Sequence, residues 1–367
     1  MSNLSLEERL NLIKEVGEEI VTENELRALL ESGKPLIAYD GFEPSGQIHI
    51  AQGLLRAINI NRMTQAGIHF KMWVADWHAM ANNKMGGDLE RIKTVGHYFI
   101  EVWKACGMDM SHVEFLWASD MAKNPNYWKL VVQVGRTNVL KRFIRTAEMM
   151  GREESLDNLT GANIIYSCMQ VADIFMLKAN ITQLGMDQRK LNMLAREVGP
   201  QLGFWKPVVV SHHMLMGLGK PPPTNGDKVA RTIAMKMSKS NPDNAIFMTD
   251  THEDIKRKIT KAYCPEGQAT ENPVLEYCKY IIFPLLPRLG MEQVVVNRPE
   301  KFGGPVILNS YTNLEKLFAE KQIHPLDLKN TVIPLLDKLI SPVREYFTNN
   351  LFARDLLRKV QSYQVTR

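Results

Sequence analysis

Five short apolar runs, bounded by turn formers and separated by stretches of helical periodicity, constrain this chain more than any of its other features. They are Pro35 to Phe42, His69 to Ala75, Val113 to Ala118, Ile181 to Gly185 and Val208 to Ser211. The first has the apolar content of a buried strand. The Pro/Gly turn Glu43 to Gly46 then leads into the helix-like stretch Ile48 to Ala66, giving a strand–loop–helix unit. Helical patterns such as Asp88 to Cys106 separate the later runs. Strands alternating with helices predict a Rossmann-like, doubly wound parallel sheet in an α/β fold.

The rest of the chain attaches to that sheet. Two capping boxes, Ser5 to Glu8 and Thr22 to Glu25, predict two short N-terminal helices. Residues 120–178 read as a helical insertion rich in Arg and Lys, suited to a dimer interface and to contact with RNA. Gly217 to Arg231, with three consecutive prolines, reads as an exposed loop. Beyond about residue 250 the signals are almost wholly helical: His252 to Ala262, Val274 to Phe283, Asn313 to Glu320, Asp327 to Leu339 and Pro342 to Val360. A chain of 367 residues exceeds one compact domain, and the patterns divide it into residues 1–248, the α/β unit with its mobile loop at about 217–245, and residues 249–367, an α-helical C-terminal domain.

Composition mainly excludes. Every apolar run is too short to cross a bilayer, and the acidic N-terminal stretch, with Glu7, Glu8, Glu15, Glu18 and Glu19, lacks the basic start of a secretory signal. The four cysteines are scattered, without zinc spacing, and read as structural thiols of a reducing, cytoplasmic setting. A net charge of +5 is compatible with a polyanionic partner and decides nothing alone.

Two segments carry chemistry. In Tyr39-Asp-Gly41-Phe-Glu-Pro-Ser-Gly46-Gln-Ile-His49-Ile-Ala-Gln52, a strand end turns into a helix N-terminus, whose free N–H groups and dipole suit phosphate. His49 and Gln52, three apart on that helix, would share a face and both donate to phosphate oxygens, although a cap or core histidine fits His49 equally well. In Lys236-Met237-Ser238-Lys239-Ser240, two lysines on a loop could neutralise charge on a departing pyrophosphate; a solvated loop is the alternative.

Together, about 190 residues apart, these segments resemble the HIGH and KMSKS signatures of class I aminoacyl-tRNA synthetases. The resemblance runs along nearly the whole chain and is nearest to tyrosyl-tRNA synthetases of the archaeal and eukaryotic type. It includes Ala75-Asp-Trp-His78, Tyr166 to Asp173, Gly185-Met-Asp-Gln-Arg-Lys190, Arg298-Pro-Glu-Lys-Phe-Gly303 and His324-Pro-Leu-Asp-Leu-Lys-Asn330. It implies activation of tyrosine by ATP, with Mg²⁺ riding on the nucleotide and no all-protein metal cage, transfer to tRNA(Tyr) in the cytoplasm, and a homodimer.

The resemblance also implies roles. Tyr39 and Asp173 would hold the substrate phenol, Tyr166, Gln170 and Gln188 the amino-acid end, and Asp76 either the ammonium or only its own strand end. Gly41, Gly46, Gly185, Asp187, Met237 and Ser238 would bind ATP, with Asp187 on the ribose, while His49, Gln52, Lys236 and Lys239 act on the phosphates. Arg145 and Lys190 would meet the acceptor stem, or else line a solvated helix face; His324 and Asp327 would meet the anticodon, with a plain helix cap as the alternative for His324. The chain departs from the family pattern in placing Gln52 at the second HIGH histidine and in its longer 217–231 loop. A tryptophanyl synthetase, a nucleotidyltransferase and a catalytically silent RNA-binding module are the rivals. Tyr39 with Asp173 favours a phenol over an indole, KMSKS and the helical domain speak against the second, and both lysines speak against the third.

Overall fold

The computed structural model describes residues 4–147, 160–223, 228–237, 239 and 241–363. Its main sheet has six strands: β1 (Gly17–Val21), β2 (Ile37–Phe42), β3 (His69–Val74), β4 (Val113–Trp117), β5 (Ile181–Thr182) and β6 (Val208–His212), in the spatial order β1-β6-β5-β2-β3-β4. All five apolar runs form strands, and all five pair in parallel. Chain order reverses between β2 and β5, which meet at Tyr39 and Thr182. In an open α/β sheet, the crevice beyond the strand ends at such a switch point is where ligands bind.

The edge strand β1 was not legible. Its sequence, Gly-Glu-Glu-Ile-Val, shows no alternation, and the strand exists because it pairs antiparallel with β6. It lies between the two predicted helices, Leu6–Val16 and Glu23–Glu31, each of which begins with its capping box formed.

One face of the sheet carries the insertion. Helices Pro125–Gly135, Leu140–Ala147 and Gly161–Met176 pack together and build a core with Tyr39, Trp73, Val171 and Ile174. The N-terminal helix and helices Arg56–Gln65 and Leu89–Ala105 contribute to the other core. That core continues into the C-terminal helices without a break at residue 248: Tyr98 and Phe347 lie ring to ring at 5.5 Å, and the Tyr346 hydroxyl donates to Glu101 at 2.5 Å.

The C-terminal region departs from the helical expectation in three places. A hairpin of β7 (Val294–Val296) and β8 (Val306–Leu308) interrupts it, its strands too short to show a period. The run predicted as one helix from Val274 breaks into Pro273–Tyr277, a wide turn Cys278–Ile282 and single turns, because Pro284 and Pro287 lack the N–H that an α-helix needs. Conversely, Pro325–Asn349 is one helix through Pro334 and Pro342, with Leu336, Leu339, Ile340, Val343 and Phe347 buried along it. Burial of that stripe outweighs the local cost of proline. The helix ends at Asn350, whose side chain caps the next helix, Leu351–Ser362.

Candidate active site

At the switch point, β2 carries Tyr39 and Asp40, each 1% exposed. The Tyr39 hydroxyl is held strongly in its neutral form, by burial first and by the Asp173 charge second. The Gln170 amide lies near enough to ease its ionisation, yet no hydrogen bond to the hydroxyl is completed, nor one to Gln170 Oε1. Gln170 donates to Gln188 Oε1 at 3.1 Å. Asp173, one turn further along the Gly161–Met176 helix, is buried and accepts from the Tyr127 hydroxyl at 2.9 Å and from Trp73 Nε1 at 3.0 Å. His78 Nε2 lies 2.9 Å from it as well. Burial alone would lower the His78 pKa, but the Asp173 carboxylate outweighs that and raises it. Tyr166 packs edge-on against His78 at 5.0 Å, its hydroxyl kept neutral by burial and by Glu43.

Asp76 serves its own strand end and keeps one oxygen free. Its Oδ1 accepts the N–H groups of Trp77 and Ser119 at 2.9 and 2.8 Å, a structural duty. Its Oδ2 is buried and completes no hydrogen bond, so it can still accept one from a ligand cation.

The other end of the site brings together residues far apart in sequence. The segment after KMSKS pairs with the HIGH segment: Ile50 N–H donates to Ile246 O at 2.8 Å and Met248 N–H to Ile48 O at 3.0 Å. This pairing corrects the expectation that His49 rides on the helix. His49 sits in a bridge to Phe247, and helical turns begin only at Ala51, with a wide turn over Ala51–Leu55 that contains Gln52. His49 and Gln52 therefore do not share a helical face. His49 instead acts as a cap, its Nδ1 accepting the Gln52 N–H at 3.4 Å. That leaves Nε2 as the protonated, donating nitrogen of the neutral ring. Burial first, then Lys239, Arg56 and Lys236, push the His49 pKa well down and keep the ring neutral. The buried Gln52 Oε1 completes no hydrogen bond, while Trp103 Nε1 pins the Gln52 carbonyl at 2.7 Å.

Lys236 Nζ lies 3.0 Å from Asp187 Oδ2. Burial would raise the Asp187 pKa, but Lys236 holds it below the usual carboxylate range. Lys239 reaches the Ser45 carbonyl and lies over the Phe99 ring at 4.7 Å. Burial, then Lys84 and Arg56, depress its pKa, and a polyphosphate beside it would restore the charge. Gly46 has φ +59°. A Cβ on Gly185 would come within 2.7 Å of Asp187 Oδ1, so the crowding there requires glycine, whereas one on Gly41 would meet only ordinary contacts. Met237 is buried in the core and its N–H donates to Leu215 O at 3.0 Å. Ser238 and Ser240 lie outside the described residues.

Of the residues assigned to RNA, Arg145 is exposed on Leu140–Ala147 and Lys190 is exposed at the start of Arg189–Gln201. His324 is the N-cap of the Pro325–Asn349 helix, its Nδ1 accepting the Leu326 N–H at 3.2 Å, and half-buried Asp327 lies in the first turn. Arg298 ties the preceding loop to the Gln322 carbonyl, and the Phe302 ring that follows it is exposed.

Sequence reasoning missed Trp73, His78 and Tyr127 as partners of Asp173, and the buried ion pair of Asp40 with Arg56 at 2.5 Å. Burial raises the Asp40 pKa to about 6, against the pull of Arg56. Of these, only Asp40 and His78 stood inside a quoted motif. Trp73 was readable as a strand end opposite Gly41, and Tyr127 carried no signal.

A parallel sheet whose switch point joins a pocket of buried hydroxyl, amide and carboxylate groups to a histidine and two lysines is the arrangement of a class I aminoacyl-tRNA synthetase. The chain belongs to that family: residues 31–341 match the tRNA synthetases class I (W and Y). It is 46% identical to tyrosine–tRNA ligase 1, cytoplasmic, of Arabidopsis thaliana over 99% of this chain and 90% of that protein. The crystal structure of the Pyrococcus horikoshii tyrosyl-tRNA synthetase complexed with L-tyrosine superimposes with a TM-score of 0.88 at 39% identity, covering 97% of this chain and all of that one. The Leishmania major tyrosyl-tRNA synthetase in complex with tyrosinol is 42% identical, with a TM-score of 0.87; it matches 99% of this chain, which spans 53% of that longer one.

Proposed function

We propose that this protein is a tyrosine–tRNA ligase. It activates L-tyrosine with ATP to tyrosyl-adenylate and pyrophosphate, then transfers the tyrosyl group to the 3′ end of tRNA(Tyr). The observation that carries this reading is the buried Tyr39 hydroxyl, without a completed hydrogen bond, beside the buried acceptor Asp173. A phenol satisfies both, accepting from Tyr39 and donating to Asp173, whereas phenylalanine leaves both unsatisfied. Gln170, Gln188 and Asp76 Oδ2 take the amino-acid end, and Tyr166 closes the pocket against His78.

In the first step, a tyrosine carboxylate oxygen forms a bond to the α-phosphorus of ATP while the bond to the bridging oxygen breaks, and pyrophosphate departs with that electron pair. The nucleophile belongs to the substrate, so the protein supplies alignment and charge. Neutral His49 donates from Nε2, Gln52 donates through its amide, and Lys236 and Lys239 compensate the growing charge. In the second step, a terminal ribose hydroxyl of the tRNA attacks the tyrosyl carbonyl and AMP leaves. Gly41, Gly46 and Gly185 give the nucleotide close backbone approach, and Asp187 takes the ribose. Among the described residues no three His, Cys, Asp or Glu side chains converge as a metal site; Mg²⁺ arrives on the ATP phosphates and adds to their neutralisation.

Residues 1–248 carry the chemistry and 249–367 read the anticodon through His324 and Asp327, with the exposed ring of Phe302 as a surface on which a base can stack. Arg145 and Lys190 face the acceptor stem. Val132, Leu140 and Ile165 on the packed insertion helices and Val139 in the link between two of them, all large, apolar and exposed, support a homodimer through that face. No described helix is long and apolar enough to cross a membrane, and with the scattered, unpaired cysteines this supports work in the cytoplasm. Tyrosine-dependent exchange of pyrophosphate into ATP is the test. Strong exchange with tyrosine and marginal exchange with tryptophan or phenylalanine is expected, and equal turnover of phenylalanine overturns the assignment.

A further inference from the structure

Asp173 enters the pocket already engaged by the protein. Trp73 Nε1 and His78 Nε2 both approach Oδ2, at 3.0 and 2.9 Å, and the Tyr127 hydroxyl donates to Oδ1 at 2.9 Å. The three come from separate elements: the end of β3, the short helix Asp76–Ala81 and the insertion helix Pro125–Gly135. A carboxylate offers about four acceptor directions. Two hydrogen bonds are complete, one on each oxygen, since His78 Nε2 lies close to Oδ2 without completing one, and Oδ1 keeps one direction open beside the Tyr127 hydroxyl.

We propose that Tyr127 is a specificity-determining positioning residue: by fixing the Asp173 carboxylate and occupying one acceptor direction of Oδ1, it leaves the other direction on that oxygen for the para-hydroxyl of the amino acid. The inference rests on the tyrosine reading of the pocket. A buried carboxylate needs donors in any case, but donors that served only that need would support every amino acid in the pocket equally. Here one of them is itself a phenol, on the same oxygen that must take the substrate phenol. It limits the substrate hydroxyl to one place, beside Tyr39.

Pyrophosphate exchange with tyrosine and with phenylalanine, run on wild type and Tyr127→Phe, tests this. Tyr127→Phe deletes a single oxygen and keeps the ring against Trp128, at 5.4 Å. It frees a second direction on Oδ1 and should lower kcat/KM for tyrosine by roughly 10- to 100-fold, the worth of one hydrogen bond to a charged group. The loss should appear in the KM for tyrosine, with kcat, the KM for ATP and the weak phenylalanine activity unchanged. If tyrosine and phenylalanine fall by the same factor, or the preference is unmoved, the proposal is overturned and the pocket reading stands. A wild type that does not prefer tyrosine overturns the pocket reading itself.

Discussion

Lys236, the first lysine of the KMSKS segment, is paired with Asp187 at 3.0 Å, the same carboxylate that takes the ATP ribose in the proposed reaction. The lysine therefore has two partners in turn: Asp187 before the nucleotide is seated, and the pyrophosphate as it departs. Lys236→Ala removes both. Because the second belongs to the transition state, kcat for adenylation should fall by about 10²- to 10³-fold, as for loss of one preorganised charge-stabilising donor. The KM for ATP should not rise, since a competitor for Asp187 has gone, and tyrosine affinity should hold. Rapid-quench measurement of adenylate formation checks this, and a loss confined to tyrosine binding would remove Lys236 from the phosphate site.

His213 stands between two carboxylates, Glu18 on the edge strand β1 and Glu276 on the Pro273–Tyr277 helix, at 3.0 Å from each. Glu276 also accepts the N–H of Met216, which bridges to Lys236 at the base of the catalytic loop. Burial would lower the His213 pKa, but the two carboxylates raise it to about 9. A folded-state pKa above the unfolded value means stability that is full below about pH 6.5 and lost as pH rises through about 9. The rise from about 6.5 to about 9 corresponds to at most about 3.4 kcal/mol. Urea unfolding of wild type and His213→Gln from pH 6 to 10 should show the difference between them shrinking across that window, and a constant difference would mean that the ion pairs contribute nothing.

The parts of the fold that read directly are those whose signal is local. A parallel strand buried on both faces announces itself in composition, as β2 does, and capping boxes such as Ser5 to Glu8 name their own helix starts. Strand β1 and the β7–β8 hairpin did not read, because their extended form comes from a partner: β6 for the first, and each other for the second pair. The site divides the same way. Tyr39, Gln170, Asp173 and Asp187 stand in motifs that a sequence displays, and the fold brings them together. Tyr127 and Arg56 became visible only through the carboxylates they meet, 46 and 16 positions away in the chain. The shift of His49 off the helix has the same cause, a pairing with Phe247 that no local pattern encodes.

Gln52 holds the place of the second HIGH histidine, with its carbonyl fixed by Trp103 and its amide oxygen buried without a completed hydrogen bond. A side chain so placed can donate to phosphate but cannot titrate. Gln52→His should be tolerated within a few-fold, because a neutral imidazole also donates. Gln52→Ala should slow adenylation by about 10-fold, the worth of one hydrogen bond of about 1.5 kcal/mol. Single-turnover rates decide it, and equal rates for all three proteins would exclude the Gln52 side chain from the reaction.

Asp327 tests whether the two ends of the molecule divide the labour. It stands in the first turn of the Pro325–Asn349 helix, while Tyr346, near the other end, reaches Glu101 on the same helix that sends Trp103 to Gln52. Nineteen residues of helix at 1.5 Å each separate Asp327 from that contact by about 28 Å, too far for direct influence on the phosphates through screening solvent. Asp327→Ala should therefore leave tyrosine-dependent pyrophosphate exchange intact and lower charging of tRNA. A carboxylate accepts from base-edge donors and repels phosphate, so its loss should act on base selection rather than on general affinity. One good base contact contributes about 1–3 kcal/mol, or roughly 5- to 150-fold in charging efficiency. Arg145→Ala should differ, weakening discrimination among acceptor-stem variants and leaving anticodon discrimination as it was. The measurement is charging of wild-type tRNA against a tRNA altered at the first anticodon base. Wild-type enzyme should separate the two and Asp327→Ala should separate them less; an equal loss on both would mean that Asp327 supports the helix start at His324 and does not read the base.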